Sequence, residues 1–174
     1  VERNMEATER GAEFVKQELG SPIEDLLLDE ADGKTRLFLI GNDAIGLGAL
    51  AAGCRLMAAY PITPASDIME YLIKHLPKFK GTVIQTEDEI SAITMAIGAS
   101  YGGVRSMTAS AGPGLSLMME AIGLSGMTET PVVIVDTQRG GPSTGLPTKQ
   151  EQSDVNAMIH GTHGEIPKIV LAPS

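Results

Sequence analysis

Three short loops carry the side chains best suited to chemistry. Tyr60-Pro61-Ile62-Thr63-Pro64 sets a hydroxyl between two prolines, which remove backbone donors and restrict the chain. So stiff a turn leaves Thr63 little conformational entropy to lose on binding; the plainer reading is a proline-bounded helix start with Thr63 or Ser66 as cap. Thr86-Glu87-Asp88-Glu89 gathers three carboxylates at the start of a predicted helix. The helix dipole favours acids there, which accounts for Glu87 and Asp88. Glu89 differs, because Ala92, Ala96 and Ala99 follow at helical spacing and place its carboxylate on an apolar, close-packed face. A buried carboxylate without a partner is costly, and for that reason a candidate for function. Arg139 follows the apolar run VVIVD and precedes Gly140-Gly141-Pro142. Its planar fork suits a carboxylate substrate, or else it bonds loop carbonyls at the surface.

These loops need elements to position them. In an open α/β sheet, ligands gather beyond the carboxyl ends of the strands, where loops and helix N-termini converge. From Leu37 onward, short apolar runs, Gly, Pro or Ser punctuation and helical stretches alternate, which is the pattern of parallel βα units. The expected strands are 36–40, 56–59, 82–85, 105–109, 131–136 and 168–171, with helices near 43–54, 65–76, 88–101, 114–126 and 152–159. The fold class is therefore α/β, a parallel sheet of about six strands flanked by helices. VVIVD and KIVLA are apolar on consecutive residues, which places them in the sheet's middle. Gly- and Ala-rich helices such as AIGLGALAAG let backbones approach closely. Most of the nine methionines, Met118, Met119 and Met127 among them, are expected as core or interface filler. Residues 1–35 read as a linker with a charged helix over 1–19, and 36–174 as the domain proper. With Val1 at the start and KIVLAPS halting where a strand would pass to its next element, the chain is expected to be a fragment truncated at its C-terminus.

Composition removes several classes of function. A chain of 174 residues with 43% hydrophobic content can build one sizeable core. A net charge of -9, with thirteen scattered Lys and Arg, argues against nucleic acid as partner. No apolar run approaches the ~20 residues that span a bilayer, so no membrane association and a cytoplasmic location are expected. Cys54 is the single cysteine; it cannot form an internal disulfide or supply the roughly four thiolates of an iron–sulfur cluster. GNDAIGLG lacks the G-x-G-x-x-G order of a dinucleotide site. His160, His163 and Glu165 lie in a glycine-broken HGTHGE without helical metal spacing, so no metal site is expected. No Gly-Asp-Gly turn suited to a magnesium diphosphate is present. Ser110-Ala111-Gly112-Pro113-Gly114 either lets a flat ligand near the backbone or simply makes a turn. The loop after Asp136, without an element until about Gln152, is expected to move or to meet another chain.

Taken together, GNDAIGLGALAAG, YPITPASDIMEYL, QTEDEISAITMAIGASYGG, the stretch from TASAGPG to QRGGPSTGLPTKQEQSD, and HGEIPKIVLAPS resemble the α subunit of the 2-oxoacid:ferredoxin oxidoreductases. The likeness covers nearly all of the chain from Leu37. It implies a thiamine-diphosphate pyrimidine-binding domain, with the diphosphate, its Mg2+ and an iron–sulfur cluster held by a partner β subunit. It further implies oxidative decarboxylation of a 2-oxoacid to an acyl-coenzyme A, with electrons passed to ferredoxin. By the same resemblance Glu89 bonds the aminopyrimidine ring, Thr63 and Arg139 face the substrate, and Pro61, Ser110 and Gly112 contact the cofactor. Half of another thiamine-diphosphate enzyme, transketolase-like or a branched-chain 2-oxoacid dehydrogenase, and a non-catalytic assembly module are the alternatives.

Overall fold

A computed structural model describes residues 1–20, 29, 30 and 32–171; residues 21–28 and 31 of the expected linker, and the last three of the chain, lie outside the described residues. The chain divides into two compact units, Val1–Phe38 and Leu39–Ser174. In the first, α1 (Glu2–Leu19) has no buried residue and ends at Gly20, whose left-handed φ of 69° lets its N–H reach the Lys16 carbonyl.

The second unit holds α2 (Gly41–Ala51), β1 (Leu56–Ala59), α3 (Ser66–His75), β2 (Thr82–Gln85), α4 (Glu89–Tyr101), β3 (Ser106–Ser110), α5 (Gly112–Met127), β4 (Val133–Asp136) and α6 (Asp154–His160). All strand pairs are parallel and the order is β2-β1-β3-β4. Side-chain alternation divides the core between the two faces of the sheet. Met57, Ala59, Met107 and Ala109 pack with Leu50 of α2 and Ile68, Met69 and Leu72 of α3. Ile134 packs on the other face with Ile93 and Ile97 of α4 and Met118 and Ala121 of α5. A Cβ on Gly46 would overlap the Tyr71 ring, so glycine there sets how closely α2 and α3 approach.

The parallel α/β architecture is the expected one, with four strands rather than six among the described residues. Segments 36–40 and 168–171 join no ladder, and Phe38 and Leu171 are 95% and 81% exposed. An apolar run becomes a strand only when a neighbouring edge accepts its hydrogen bonds. VVIVD also departs from expectation: β4 is an edge of the described sheet, with Val133 58% exposed. The centre belongs to LMAA and SMTAS, in which all five residues of β3 are buried. Small residues suit that position because helices crowd both faces.

No helix among the described residues is long and apolar enough to cross a membrane. Leu72 has no exposed surface, and Leu72→Ala is expected to lower unfolding stability by about 2–5 kcal/mol. Ile169→Ala, at a position 88% exposed, should stay within about 0.5 kcal/mol. Denaturant midpoints of the two variants measure the contrast.

Candidate active site

Parallel strands deliver four successive loops to one rim. Thr63 follows β1, Glu89 opens α4 after β2, Ser110 ends β3 just before Gly112 opens α5, and Arg139 lies three residues past β4. The sheet therefore gathers residues that are up to 76 positions apart in the sequence.

The Pro-bounded turn after β1 is closed by the Ser66 N–H on the Ile62 carbonyl at 3.1 Å. Asn42 of α2 fastens it, its Nδ2 donating to the Pro64 carbonyl at 2.8 Å. Helix α3 has no side-chain cap, so neither Thr63 nor Ser66 plays that part. Thr63 is exposed on the rim and Pro61 half-buried. The Thr63–Pro64 peptide is cis.

After β2, the three acids separate by environment. Asp88 caps α4, its Oδ1 accepting the Ser91 N–H at 2.7 Å, and that bond holds its carboxyl below the usual range. Glu87 is exposed. Glu89 is 6% exposed, with Ala92 and Ala96 buried behind it on the same helix face. Among the described residues no cation pairs with Glu89; its local compensation is the N-terminal end of the α4 dipole. Gly114 of α5 faces it: a Cβ there would lie 2.7 Å from Glu89 Oε1 and would overlap Ser110 Oγ. Ser110 is buried and its hydroxyl has no hydrogen-bond partner among the described residues.

Arg139 is 5% exposed and reaches across the end of β3 to the β1 loop. Its Nη1 donates to the Thr63 carbonyl at 3.1 Å, while Nη2 donates to the carbonyls of Ser143 at 2.9 Å and Pro142 at 3.4 Å. The carbonyl bonding is that of the plainer reading, but the residue is buried rather than on the surface. Nε is buried without a partner. No acid among the described residues forms an ion pair with this guanidinium, so a buried positive charge stands uncompensated.

The approach to Arg139 is polar throughout. Both Asp136 carboxylate oxygens, Thr137 Oγ1, Gln138 Nε2 and Arg139 Nε are buried without hydrogen bonds. Four consecutive residues with orphaned polar atoms mark a surface that expects polar company. Asp154, 8% exposed at the start of α6, lies against Gly112, where a Cβ would come within 2.8 Å of Asp154 Oδ2. Asp136 and Asp154 escaped the sequence reading; the signal available for the first was an acid closing an apolar strand at its carboxyl end.

A cleft of about 630 Å³ lies at the opposite, amino, end of the strands, lined by Arg55, Lys80 and Arg105 with Gly53, Gly81 and Gly103. Open volume and chemistry thus point to different ends of the sheet. Chemistry decides, because the buried unpaired charges and orphaned polar atoms lie at the carboxyl end. Cys54 is buried, its thiol donates to the Leu56 carbonyl at 3.3 Å, and burial pushes its pKa up, so it serves packing. His163 stands 3.5 Å from Glu120 on the surface.

Fold and rim together define a cofactor-binding domain of the parallel α/β class. A family profile described as "Pyruvate flavodoxin/ferredoxin oxidoreductase, thiamine diP-bdg" matches residues 47–174, and the chain belongs to that family. Over 137 residues, 79% of this chain and 37% of the relative, it is 55% identical to "2-oxoglutarate synthase subunit KorA" of Methanocaldococcus jannaschii. Over 138 residues, 76% of this chain and 21% of the relative, it is 50% identical to "2-oxoglutarate oxidoreductase subunit KorA" of Mycobacterium tuberculosis. A solved structure of 2-oxoglutarate:ferredoxin oxidoreductase from Magnetococcus marinus, with 2-oxoglutarate, coenzyme A and succinyl-CoA bound, matches with a TM-score of 0.83 and 48% identity. That match covers 94% of this chain and 28% of the other. The chain thus spans between 21% and 37% of the length of these relatives.

The residues present fit thiamine diphosphate. A buried carboxylate, the bare backbone at Gly114 and the unpartnered Ser110 hydroxyl surround one point on the rim, which is what a flat, nitrogen-bearing ring requires. Gly114→Ala should destabilise the chain by about 1–3 kcal/mol through overpacking. Removing Oγ in a Ser110→Ala, Gly114→Ala double variant should recover part of that loss in thermal melts; equal melting of the single and double variants would show that Ser110 does not press on Gly114.

Proposed function

We propose that this chain forms the aminopyrimidine-binding part of a thiamine-diphosphate-dependent 2-oxoacid:ferredoxin oxidoreductase, a complex that oxidatively decarboxylates a 2-oxoacid to its acyl-coenzyme A. The relatives' names favour 2-oxoglutarate among 2-oxoacids. One observation carries the reading: a buried carboxylate and a buried guanidinium, neither paired with an opposite charge among the described residues, are delivered to the same rim. A ring nitrogen answers the first and an anionic substrate the second.

In this proposal Glu89 accepts a hydrogen bond from the ring nitrogen of the pyrimidine. Its burial limits the water that would compete for that nitrogen. Thiamine diphosphate bound there supplies a nucleophilic carbon able to attack a 2-oxo carbon and to hold the electrons left by loss of carbon dioxide. Pro61, Ser110 and Gly112 line the cofactor's approach, and the Ser110 hydroxyl is free to donate to it. Arg139 orients the substrate carboxylate by its uncompensated positive charge. The Thr63 hydroxyl adds a donor from the opposite loop, and that loop is already tied to Arg139 through the Thr63 carbonyl. The diphosphate, its Mg2+ and an iron–sulfur cluster are assigned to the partner β subunit; one cysteine in the sequence is too few for a cluster. Ferredoxin and coenzyme A would act with the assembled complex.

A charge-assisted contact of this kind contributes about 1.5–3 kcal/mol. Arg139→Ala in the assembled complex is therefore expected to raise the Michaelis constant for the 2-oxoacid roughly 10- to 100-fold, because the lost contact exists before the chemistry begins. Steady-state kinetics with 2-oxoglutarate tests this. An unchanged constant accompanied by a lowered melting temperature would assign Arg139 to loop stability alone.

A further inference from the structure

Three consecutive carbonyls of the turn after β1 are each claimed by a donor from a different element. The Ile62 carbonyl accepts the Ser66 N–H of α3 at 3.1 Å, the Thr63 carbonyl accepts Arg139 Nη1 from the loop after β4 at 3.1 Å, and the Pro64 carbonyl accepts Asn42 Nδ2 from α2 at 2.8 Å. The backbone that carries the Thr63 hydroxyl is therefore held from three sides, while Thr63 itself is exposed on the rim. Ser66 closes the turn on itself; Arg139 and Asn42 bring donors from distant parts of the chain.

Asn42 does not serve its own helix. It is the second residue of α2, whose N-terminus has no side-chain cap, and asparagine inside a helix lowers helix propensity. Asn42, Gly46 and Leu50 recur every four residues and so share one face of α2. Gly46 and Leu50 are buried and Asn42 is half-buried, so a polar side chain continues an otherwise buried stripe. That face meets α3: a Cβ on Gly46 would overlap the Tyr71 ring, and the close approach lets a side chain as short as asparagine reach the turn that leads into α3. Nδ2 also stands 3.4 Å from Asp67 Oδ2 of α3, a longer and exposed contact. The segment GNDAIGLG, which lacks the order of a dinucleotide site, thus supplies a brace for the neighbouring loop.

We propose that Asn42 is a positioning residue for the 2-oxoacid, acting through Thr63 and resting on the substrate role proposed for that threonine. Its amide holds the Pro64 carbonyl while Arg139 holds the Thr63 carbonyl, and the two ties keep the hydroxyl on the rim next to the guanidinium. Asn42 itself does not touch the substrate. An amide suits the place because the Pro64 carbonyl can only accept a hydrogen bond. An aspartate of the same size has no proton to donate and would stand against the Asp67 carboxylate. Without the tie, the substrate must order the turn as it binds, which weakens binding and leaves the bound geometry as it was.

The test is a double-mutant cycle in the assembled complex, with steady-state kinetics on 2-oxoglutarate and thermal melts for Asn42→Asp, Asn42→Ala, Thr63→Ala and the Asn42→Ala, Thr63→Ala double variant. Each single substitution is expected to raise the Michaelis constant roughly 2- to 10-fold, the size of one neutral hydrogen bond, with kcat little changed. In the Thr63→Ala background, Asn42→Ala should add little, because the hydroxyl that it positions is gone. Full additivity of the two substitutions, or a wild-type Michaelis constant in either Asn42 variant, would overturn the positioning role; a lowered melting temperature alone would then assign Asn42 to the packing of α2. A wild-type Michaelis constant in Thr63→Ala would instead overturn the substrate role of Thr63, and with it the route by which Asn42 is proposed to act.

Discussion

A largely buried carboxylate at the first residue of α4 is the constraint around which the rest of the rim is arranged. Glu89 is buried and has no cationic partner among the described residues. A helix N-terminus offers about 0.3–1 kcal/mol, and up to ~2 in partly buried geometries, less than an unpaired buried charge costs. The surrounding fold sustains the difference through the close packing of Ile93 and Ile97 against Met118. A local expense of this sort is what functional sites impose on otherwise consistent folds. Glycine at 114 follows from the same constraint, since a side chain there would collide with the carboxylate and with Ser110.

The positive charge is managed differently. Arg139 is also buried, but three carbonyls take up its Nη hydrogens and stitch the loop after β4 to the loop after β1. Carbonyls satisfy donors without neutralising charge, so the guanidinium keeps its attraction for an anion. Because β3 lies between β1 and β4 in the sheet, this stitch passes over the end of β3, where Ser110 sits. In the proposed function, the opposite charges stay unpaired with each other so that cofactor and substrate can each claim one of them.

Much of this was legible in the sequence, for identifiable reasons. Glu89 stood out from Glu87 and Asp88 because Ala92 and Ala96 share its helix face, and burial separates the three acids in the same way. Helix positions followed from alternation of apolar runs with punctuation. Strand depth did not, because apolar content reports what could be buried while pairing decides what is. SMTAS, with two serines and a threonine, lies at the centre, whereas VVIVD lies at an edge. Segments 36–40 and 168–171 had strand composition without a ladder to join. Asp136 and Asp154 were invisible as site residues because neither stands in a motif and their burial depends on the packing around them.

Hydrogen–deuterium exchange at the acidic thiazolium carbon of thiamine diphosphate, bound to the assembled complex, tests the central assignment most directly, because that carbon must lose its proton to become the nucleophile, and Glu89 is proposed to bond the pyrimidine ring of the same cofactor. Glu89→Gln keeps the size of the side chain and removes its charge. The account predicts exchange slowed by orders of magnitude in that variant, with the cofactor still bound and the fold intact. Exchange as fast as in the wild type would show that the buried carboxylate serves structure rather than chemistry.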